Sequence, residues 1–377
     1  MSKKKNINEL NKIENQLNDT NNLNLKESTS RILLLSNNEI VCSCFTTIII
    51  YNINKRKNLK IIYKNENSHD KQISSLSLSS DNSFISSSFD GTIKLWYKNN
   101  TNDYNFNEYN IFKKKINFIN AFELNDNKRI CGFSNKAIFV FDKKTTQIIN
   151  IIKFQKIKTT FYSSFCFTDY QNKEYIVIKE ESKMTFINSN SFENEKIFNK
   201  LNGIDGFLTF YSKKQNKIYI LSLNIKNNQI IISLKYIDKN LKLLELHNIY
   251  IGNFEIEGEH ELTEEEIMDY YDIKRLFNCN FIDENNFHFI VYLYHGLPFE
   301  YENYVLYQCK KKKKNNKPIC EIVEKIGEGN IHDYSINNIS KDYDENDRDL
   351  DFDMIRLDDK TLLVCSRLKV KFFKFNI

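Results

Sequence analysis

The 377-residue chain contains only nine glycines, two prolines and one tryptophan. With so little glycine and proline, its turns must be made largely by asparagine and aspartate, which tolerate left-handed and side-chain-bonded conformations best. Long apolar runs are also missing, because stretches such as Ile48–Tyr51 are far too short to cross a bilayer, and the N-terminus lacks the apolar core of a secretory signal. We therefore expect a soluble protein of the cytoplasm or nucleus, without membrane association.

Patterns that would indicate metal binding or catalysis are also missing. The eight cysteines form no CxxC pair and no spacing with histidine that suits zinc, and the six histidines are dispersed. No phosphate-binding loop and no paired carboxylates at a strand end are visible. We therefore expect no enzyme activity, no cofactor and no metal. Most cysteines lie in apolar stretches, where free thiols act as small buried hydrophobic groups, and this suits a reducing compartment.

The composition is that of a globular protein, with 41% hydrophobic, 14% aromatic and 27% charged residues. The net charge of +5 hides two acidic segments. Residues 255–272 carry nine acidic side chains and no Lys or Arg, and residues 342–353 carry seven acidic side chains and one Arg. Lys, Asn and Ile are abundant throughout, so we attribute the basicity of the remainder to composition and not to nucleic-acid binding.

A repeat of about 45 residues is the most informative feature of the chain. Similar β-rich runs have matching positions at Tyr51, Trp96, Phe141 and Ile187, and the series continues less regularly through Ile237, Tyr307 and Phe373. Each unit has room for four strands, A to D, with a polar turn between A and B. Apolar residues recur mainly at every second position in runs such as Ile116–Leu124, which is typical of strands with one buried face.

A single four-stranded sheet of this size leaves both faces in water, and a radial arrangement of seven such sheets buries them. We therefore predict an all-β fold, a seven-bladed β-propeller of four-stranded antiparallel blades over residues 29–377. The last unit has room for strands A, B and C in Leu350–Leu357, Leu362–Ser366 and Lys369–Phe375, but not for D. Part of Asn22–Ser28 in the polar tail, residues 1–28, is expected to supply that strand and close the ring. The alternative is a disordered polar tail.

The second unit carries a more specific pattern, which runs from His69 to the segment FISSSFDGTIKLW, Phe84–Trp96. This pattern resembles a WD repeat, whereas the other units are degenerate and have other residues in place of the Trp. The resemblance implies a WD-repeat propeller in which four side chains form a structural hydrogen-bonded tetrad, with Ser88 as the alternative to Ser86: His69, Ser86, Asp90 and Trp96. A catalytic Ser/His/Asp set would instead need an exposed nucleophile and an oxyanion site.

Both acidic segments fall in connections between a D strand and the next A strand. In this topology such connections share one face, the top face, with the B–C turns. In the first segment Thr263 suits a helix N-cap and Glu266 its capping-box partner, so we expect a short helix over Leu262–Asp272. The candidate partner-binding residues are the following acidic and aromatic side chains: Glu264, Glu265, Glu266, Tyr270, Tyr271, Asp342, Asp344 and Glu345.

These features predict a non-catalytic protein–protein interaction scaffold whose acidic top-face rim, residues 255–272 and 342–353, receives a basic segment of a partner. The alternative for the rim is a pair of solvated insertions without a specific role. The alternative function is that of an RNA- or ribosome-associated WD-repeat protein, which would use basic loops such as Lys310–Lys314. We expect a monomer or a subunit of a larger complex.

Overall fold

The computed structural model describes residues 22–24, 31–35, 38–53, 59–80, 82–99, 103–110, 116–134, 136–153, 163–169, 171–180, 182–201, 207–212, 215–226, 229–253, 276–283, 286–295, 301–311, 318–330, 353–358, 361–366 and 369–374. In this part of the chain every regular element is a β-strand. The chain divides into two compact units, residues 1–156 with 349–377 and residues 157–348.

The strands are numbered along the chain and form successive four-stranded antiparallel sheets, here termed blades. The N-terminal tail contributes β1 (Asn22–Asn24). Blade 1 comprises β2 (Arg31–Leu34), β3 (Glu39–Cys44), β4 (Thr47–Ile53) and β5 (Leu59–Asn65). Blade 2 comprises β6 (Ile73–Leu78), β7 (Phe84–Ser88), β8 (Thr92–Lys98) and β9 (Tyr104–Asn110). Blade 3 comprises β10 (Phe118–Glu123), β11 (Arg129–Ser134), β12 (Ala137–Asp142) and β13 (Ile148–Lys153).

The remaining strands follow the same order. Blade 4 comprises β14 (Ser163–Thr168), β15 (Glu174–Lys179), β16 (Met184–Asn188) and β17 (Asn194–Phe198). Blade 5 comprises β18 (Leu208–Ser212), β19 (Lys217–Lys226), β20 (Gln229–Ile237) and β21 (Leu243–Asn253). Blade 6 comprises β22 (Leu276–Asp283), β23 (Asn286–His295), β24 (Tyr301–Lys311) and β25 (Pro318–Asn330). The terminal blade contains β26 (Asp353–Asp358), β27 (Thr361–Ser366) and β28 (Lys369–Lys374).

Blades 1, 2, 3 and the terminal blade form the first unit, and its core lies between neighbouring sheets. One cluster joins Val41, Ile48 and Ile50 of blade 1 to Phe84 and Trp96 of blade 2. Another cluster joins blade 2 to blade 3 and includes the following residues: Ile85, Ile93, Tyr109, Phe118, Ile130 and Phe141. Blade 2 therefore buries its two faces against blades 1 and 3, as a sheet of this size requires.

The second unit repeats this principle. Phe167, Val177 and Phe186 of blade 4 pack with Ile218 and Ile220 of blade 5. A further cluster joins blade 5 to blade 6 and includes Tyr219, Leu221, Ile232, Phe287 and Phe289. The described packing in both units is thus between successive sheets of the chain.

The terminal blade is completed by the N-terminal strand. Its sheet order is β1-β28-β27-β26, and Leu23 on β1 lies opposite Val370 on β28 in an antiparallel ladder. The part of Asn22–Ser28 that pairs with the last blade is therefore Asn22–Asn24. This strand takes the outer position of the terminal blade, next to β28.

The described residues show five packed blades, where the sequence predicts seven. Within the described residues the strands form seven four-stranded sheets, but packed side chains are described along most of the length of only five of them, blades 1 to 5. In the other two sheets few side chains are described, such as Phe287 and Phe289 of blade 6 and Leu362 of the terminal blade. The fold is an all-β propeller of four-stranded antiparallel blades.

Asparagine makes the A–B turns, as the shortage of glycine predicts. Five asparagines, spaced 44 or 45 residues apart, have positive φ angles between 49° and 61°: Asn38, Asn82, Asn127, Asn172 and Asn216. Each lies in the turn between the first and second strands of its blade. This left-handed conformation costs other L residues about 1–2 kcal/mol, and asparagine reduces that cost through local hydrogen bonds.

The expectation of free thiols is wrong for Cys309. Cys309 on β24 is disulfide-bonded, and the residue directly opposite it on β25 is Cys320. Cys42, Cys44 and Cys131 carry thiols. The spacing of cysteines in the sequence does not reveal such a bond, because the register of the β24–β25 hairpin decides which residues face each other.

Candidate functional site

The four residues of the expected tetrad are joined in blade 2 by a continuous chain of hydrogen bonds. The Trp96 indole N–H donates to the Ser86 hydroxyl over 2.8 Å. The Ser86 hydroxyl in turn lies 2.8 Å from Nε2 of His69, and Nδ1 of His69 lies 3.0 Å from the Asp90 carboxylate. Because an ionised carboxylate only accepts hydrogen bonds, Nδ1 of His69 donates to Asp90, and Nε2 of the neutral ring then accepts from the Ser86 hydroxyl.

Local structure places each member of this network. Ser86 lies on β7 and Trp96 on β8, and Ser86 and Trp96 are fully buried. Asp90 lies in the β7–β8 turn, where Gly91 adopts a φ of 87° that favours glycine. Ser88, the alternative to Ser86, has another role, because its hydroxyl donates to the backbone carbonyls of Lys71 and Gln72.

Asp90 is the electrostatic centre of the site. Its carboxylate accepts hydrogen bonds from the hydroxyl and backbone N–H of Thr92, both at 2.7 Å, and from the backbone N–H of Asp70 at 3.0 Å. Burial by itself raises the pKa of Asp90, but the hydrogen bonds from His69 and Thr92 outweigh that effect and hold this pKa well below its usual value. The carboxylate is therefore ionised throughout the neutral range.

Further polar contacts, which the sequence did not indicate, connect neighbouring blades. Glu39 of blade 1 is buried, and its carboxylate accepts hydrogen bonds from Lys98 and Tyr104 of blade 2 at 2.5 and 2.6 Å. Burial and the Glu39 charge both raise the pKa of Tyr104, so this phenol remains a donor. Lys98 and Tyr104 lie 59 and 65 residues from Glu39 in the sequence, and neither this separation nor the polarity of the residues indicates a contact.

A second carboxylate links blades 2 and 3. Glu123 accepts hydrogen bonds from the Ser79 hydroxyl and the Ser80 backbone N–H, both at 2.6 Å, and also bonds Lys143. Burial raises its pKa, but these bonds have the larger effect and lower it. The inner strands β6 and β10 are also joined, because the Ser77 hydroxyl donates to the Ala121 carbonyl over 2.7 Å.

The B–C turn of blade 1 presents an aromatic side chain on the same side of the sheets as Asp90. Phe45 is 45% exposed and has a φ of 51°, which is unusual for a bulky residue. Its carbonyl accepts a hydrogen bond from the Ile73 N–H at 2.8 Å, and the Thr46 carbonyl accepts one from the His69 N–H at 3.2 Å. The D–A connection that carries His69 therefore fixes this turn.

The other predicted site residues lie outside the described part of the chain. These are Glu264, Glu265, Glu266, Tyr270, Tyr271, Asp342, Asp344 and Glu345, together with the helix expected over Leu262–Asp272. Of the basic run Lys310–Lys314, only the backbone of Lys310 and Lys311 is described, at the end of β24.

The described residues contain no group of three or more His, Cys, Asp or Glu side chains that could hold a metal ion. They also contain no helix with the length and apolar character needed to pass through a membrane.

Residues 60–97 match the WD40 family model, described as WD domain, G-beta repeat. Among solved structures, the chain is similar to the β-propeller domain of Cps50 (Swd1) from Myceliophteria thermophila. The identity is 9%, 94% of this chain and 100% of that chain are covered, and the TM-score is 0.57. The Dos1 propeller is matched at 12% identity over 92% of this chain and 78% of that chain, with a TM-score of 0.49. No curated protein sequence matches.

The matched segment of the sequence contains the whole hydrogen-bonded network from His69 to Trp96. At 9% identity the likeness to the Cps50 domain shows the fold and nothing more, and it agrees with the succession of four-stranded sheets. The chain is therefore a β-propeller that carries a WD repeat.

Proposed function

We propose that this chain is a non-catalytic platform for protein–protein interaction. WD40 propellers generally have this role, and the observation that carries the proposal here is the exposed Phe45. A bulky residue in the left-handed region costs free energy and persists only where its surroundings hold it. Here the bonds to His69 and Ile73 hold it, and an aromatic ring is presented to solvent from a fixed backbone.

We further propose that seven blades form one ring, closed by β1. The support for this is the seven four-stranded sheets among the described residues and the pairing of Leu23 with Val370. Closure of this kind removes the exposed sheet edge that the terminal blade would otherwise have.

The His69–Ser86–Asp90–Trp96 network is proposed to be structural. The Ser86 hydroxyl is fully buried and is already bonded to Trp96 and His69. A nucleophile needs access to a substrate and an oxyanion site beside it. A buried network with its donors and acceptors paired instead fixes the turn that carries Asp90.

The proposed partner chemistry is a basic protein segment, received by the acidic rim of residues 255–272 and 342–353. The charge of the two segments and their positions in the strand order support this proposal. The first segment follows the outer strand β21 and precedes β22, and the second follows β25 and precedes β26. Both segments are thus D–A connections. The connection that carries His69, whose backbone is hydrogen-bonded to the turn of Phe45, is of the same kind. Carboxylates in this position would steer and orient a cationic partner.

Phe45→Gly tests whether the exposed ring serves binding. Because glycine adopts a positive φ without steric cost, we expect the variant to unfold at or above the wild-type temperature and to lose protein partners in an affinity purification analysed by mass spectrometry. A side chain with only a structural role would give the reverse: lower stability and unchanged partners.

The acidic rim is tested in the same assay. A variant with Glu264→Gln, Glu265→Gln, Glu266→Gln, Asp342→Asn, Asp344→Asn and Glu345→Gln should lose those partners whose capture weakens with added salt. The control is Glu193→Gln with Glu245→Gln, which removes two exposed charges elsewhere. If the rim variant recovers the same partners as the wild type, the acidic rim has no role in binding. Partners lost only after nuclease treatment would instead support the RNA-associated alternative and Lys310–Lys314.

A further inference from the structure

The outer strand of blade 3, β13, exposes an unusual amount of apolar surface. Ile148, Ile149 and Ile151 are 37%, 52% and 42% exposed. Three exposed isoleucines lie within four consecutive residues, whereas exposed apolar residues on a monomer are normally scattered singly.

One edge of this strand is also open within the described residues. β13 is the last strand in its sheet and pairs only with β12. The open edge of a strand is a template for another strand. The Asn150 side-chain oxygen accepts a hydrogen bond from the Ile151 N–H at 2.7 Å, which gives this backbone donor a local partner while the chain is alone.

The sequence of the strand is self-complementary. Residues 148–152 read Ile-Ile-Asn-Ile-Ile in both directions, with Asn150 at the centre. If two copies pair in the antiparallel direction about a two-fold axis at Asn150, Ile148 of each copy lies opposite Ile152 of the other. The two Asn150 residues face each other, and Ile149, which is a bulge residue in the β12–β13 pairing, corresponds to Ile151 of the other copy. A two-fold contact requires a surface that is complementary to itself.

The charges of the outer strands favour β13 over its counterparts. The same pairing of β5 about Ile62 would place Lys60 of each copy opposite Lys64 of the other, and like charges directly opposite are destabilising. Among the other outer strands of the five blades with described packing, each carries charge within its length: Glu108 in β9, Glu195 and Lys196 in β17, and Glu245 in β21. In β13 the only charged residue is Lys153 at its end, which would face the neutral Gln147.

From these observations we infer that β13 is the contact surface for a second copy of this chain, paired with it in the antiparallel direction about Asn150. A contact between two strands of this length is smaller than the roughly 1,200 Å² of a stable interface. The association is therefore weak, reversible and dependent on protein concentration.

Sedimentation equilibrium of the purified full chain tests this inference. The wild-type mass should rise from 45.0 kDa towards twice that value as the concentration is increased. The variant Ile149→Lys with Ile151→Lys should remain at the mass of one chain. The matched control is Ile61→Lys with Ile62→Lys in β5, where the two isoleucines are 52% and 42% exposed and a similar bulge is present. This control should associate like the wild type.

Three outcomes would overturn the inference: a wild-type mass that stays at 45.0 kDa at all concentrations, association that survives the β13 substitutions, or equal loss of association in the β5 control. If the β13 variant does not fold, Asn150→Asp decides the matter. It keeps the size of the side chain and places two carboxylates opposite each other, so the dissociation constant should rise at least tenfold at low salt, and an unchanged constant would overturn the inference.

Discussion

Asparagine residues in the A–B turns show how single residues determine this fold. Asn127 is exposed and has a φ of 55°. Alanine at this position has no side chain that can bond the local backbone, and we expect Asn127→Ala to lower the free energy of unfolding by about 1 kcal/mol. Asn127→Gly should be close to wild type because glycine reaches this φ freely. Urea unfolding of the three proteins measures the difference, and equal losses in both variants would show that the turn conformation is not the cause.

Asp90 gives a pH-dependent prediction at the same scale. Because its folded pKa is lowered, the stability that it contributes is present above the unfolded value of about 3.9 and is lost as the pH falls towards the folded pKa. Asp90→Asn should lower the free energy of unfolding by about 2 kcal/mol at pH 7. The gap between variant and wild type should shrink below about pH 4. Urea unfolding at a series of pH values measures the gap, and a constant gap would contradict this account.

At the scale of the strand and sheet, much of the order was predictable because the repeat fixes it. The strands β6 and β7 coincide with the runs Ile73–Leu78 and Phe84–Ser88 found in the sequence. The repeat positions also face apolar residues of the B strand, as Tyr51 faces Ile40 and Trp96 faces Phe84. Alternation of apolar residues and the turn residues between them determine these features.

Other features depend on which strands become neighbours, and the sequence does not show this. Glu39 bonds Lys98 and Tyr104 across two blades, and Cys309 forms a disulfide, because of contacts between residues on different strands. Such contacts arise from sheet packing and register. No local pattern encodes them, so neither was predicted.

Packing between blades 2 and 3 leads to a prediction for Gly132 on β11. A Cβ atom at this position would meet Cδ1 of Ile93 and would lie 2.7 Å from a ring carbon of Phe118. Gly132→Ala should therefore lower the free energy of unfolding by about 1–3 kcal/mol. Ile93→Val removes the Cδ1 atom and should recover part of that loss in the double variant. Thermal or urea unfolding of the wild type, the two single variants and the double variant measures the coupling between positions 132 and 93. If the effects of the two substitutions simply add, the predicted contact between them is contradicted.

At the scale of the whole molecule, the fold followed from the repeat, while the partner site did not. The His69–Trp96 network could be anticipated because its residues stand within one repeat at spacings that resemble a known pattern. The role of Phe45 could not, because its exposure and its positive φ depend on the bonds to the connection that carries His69 and Ile73. Sequence position alone places the acidic segments in connections between blades, and charge alone does not identify what they bind.

The closure of the ring is the claim on which the account of the whole molecule depends, and a cysteine pair tests it most directly. Leu23→Cys with Val370→Cys places two thiols at directly opposite positions on β1 and β28. Mild oxidation of the full chain should join them within one molecule, as peptide mass spectrometry would show, and should raise the unfolding temperature. The control pair, Leu23→Cys with Ile149→Cys, should not form that bond. Failure of the first pair to crosslink, or equal crosslinking of both pairs, would contradict closure by the N-terminal strand.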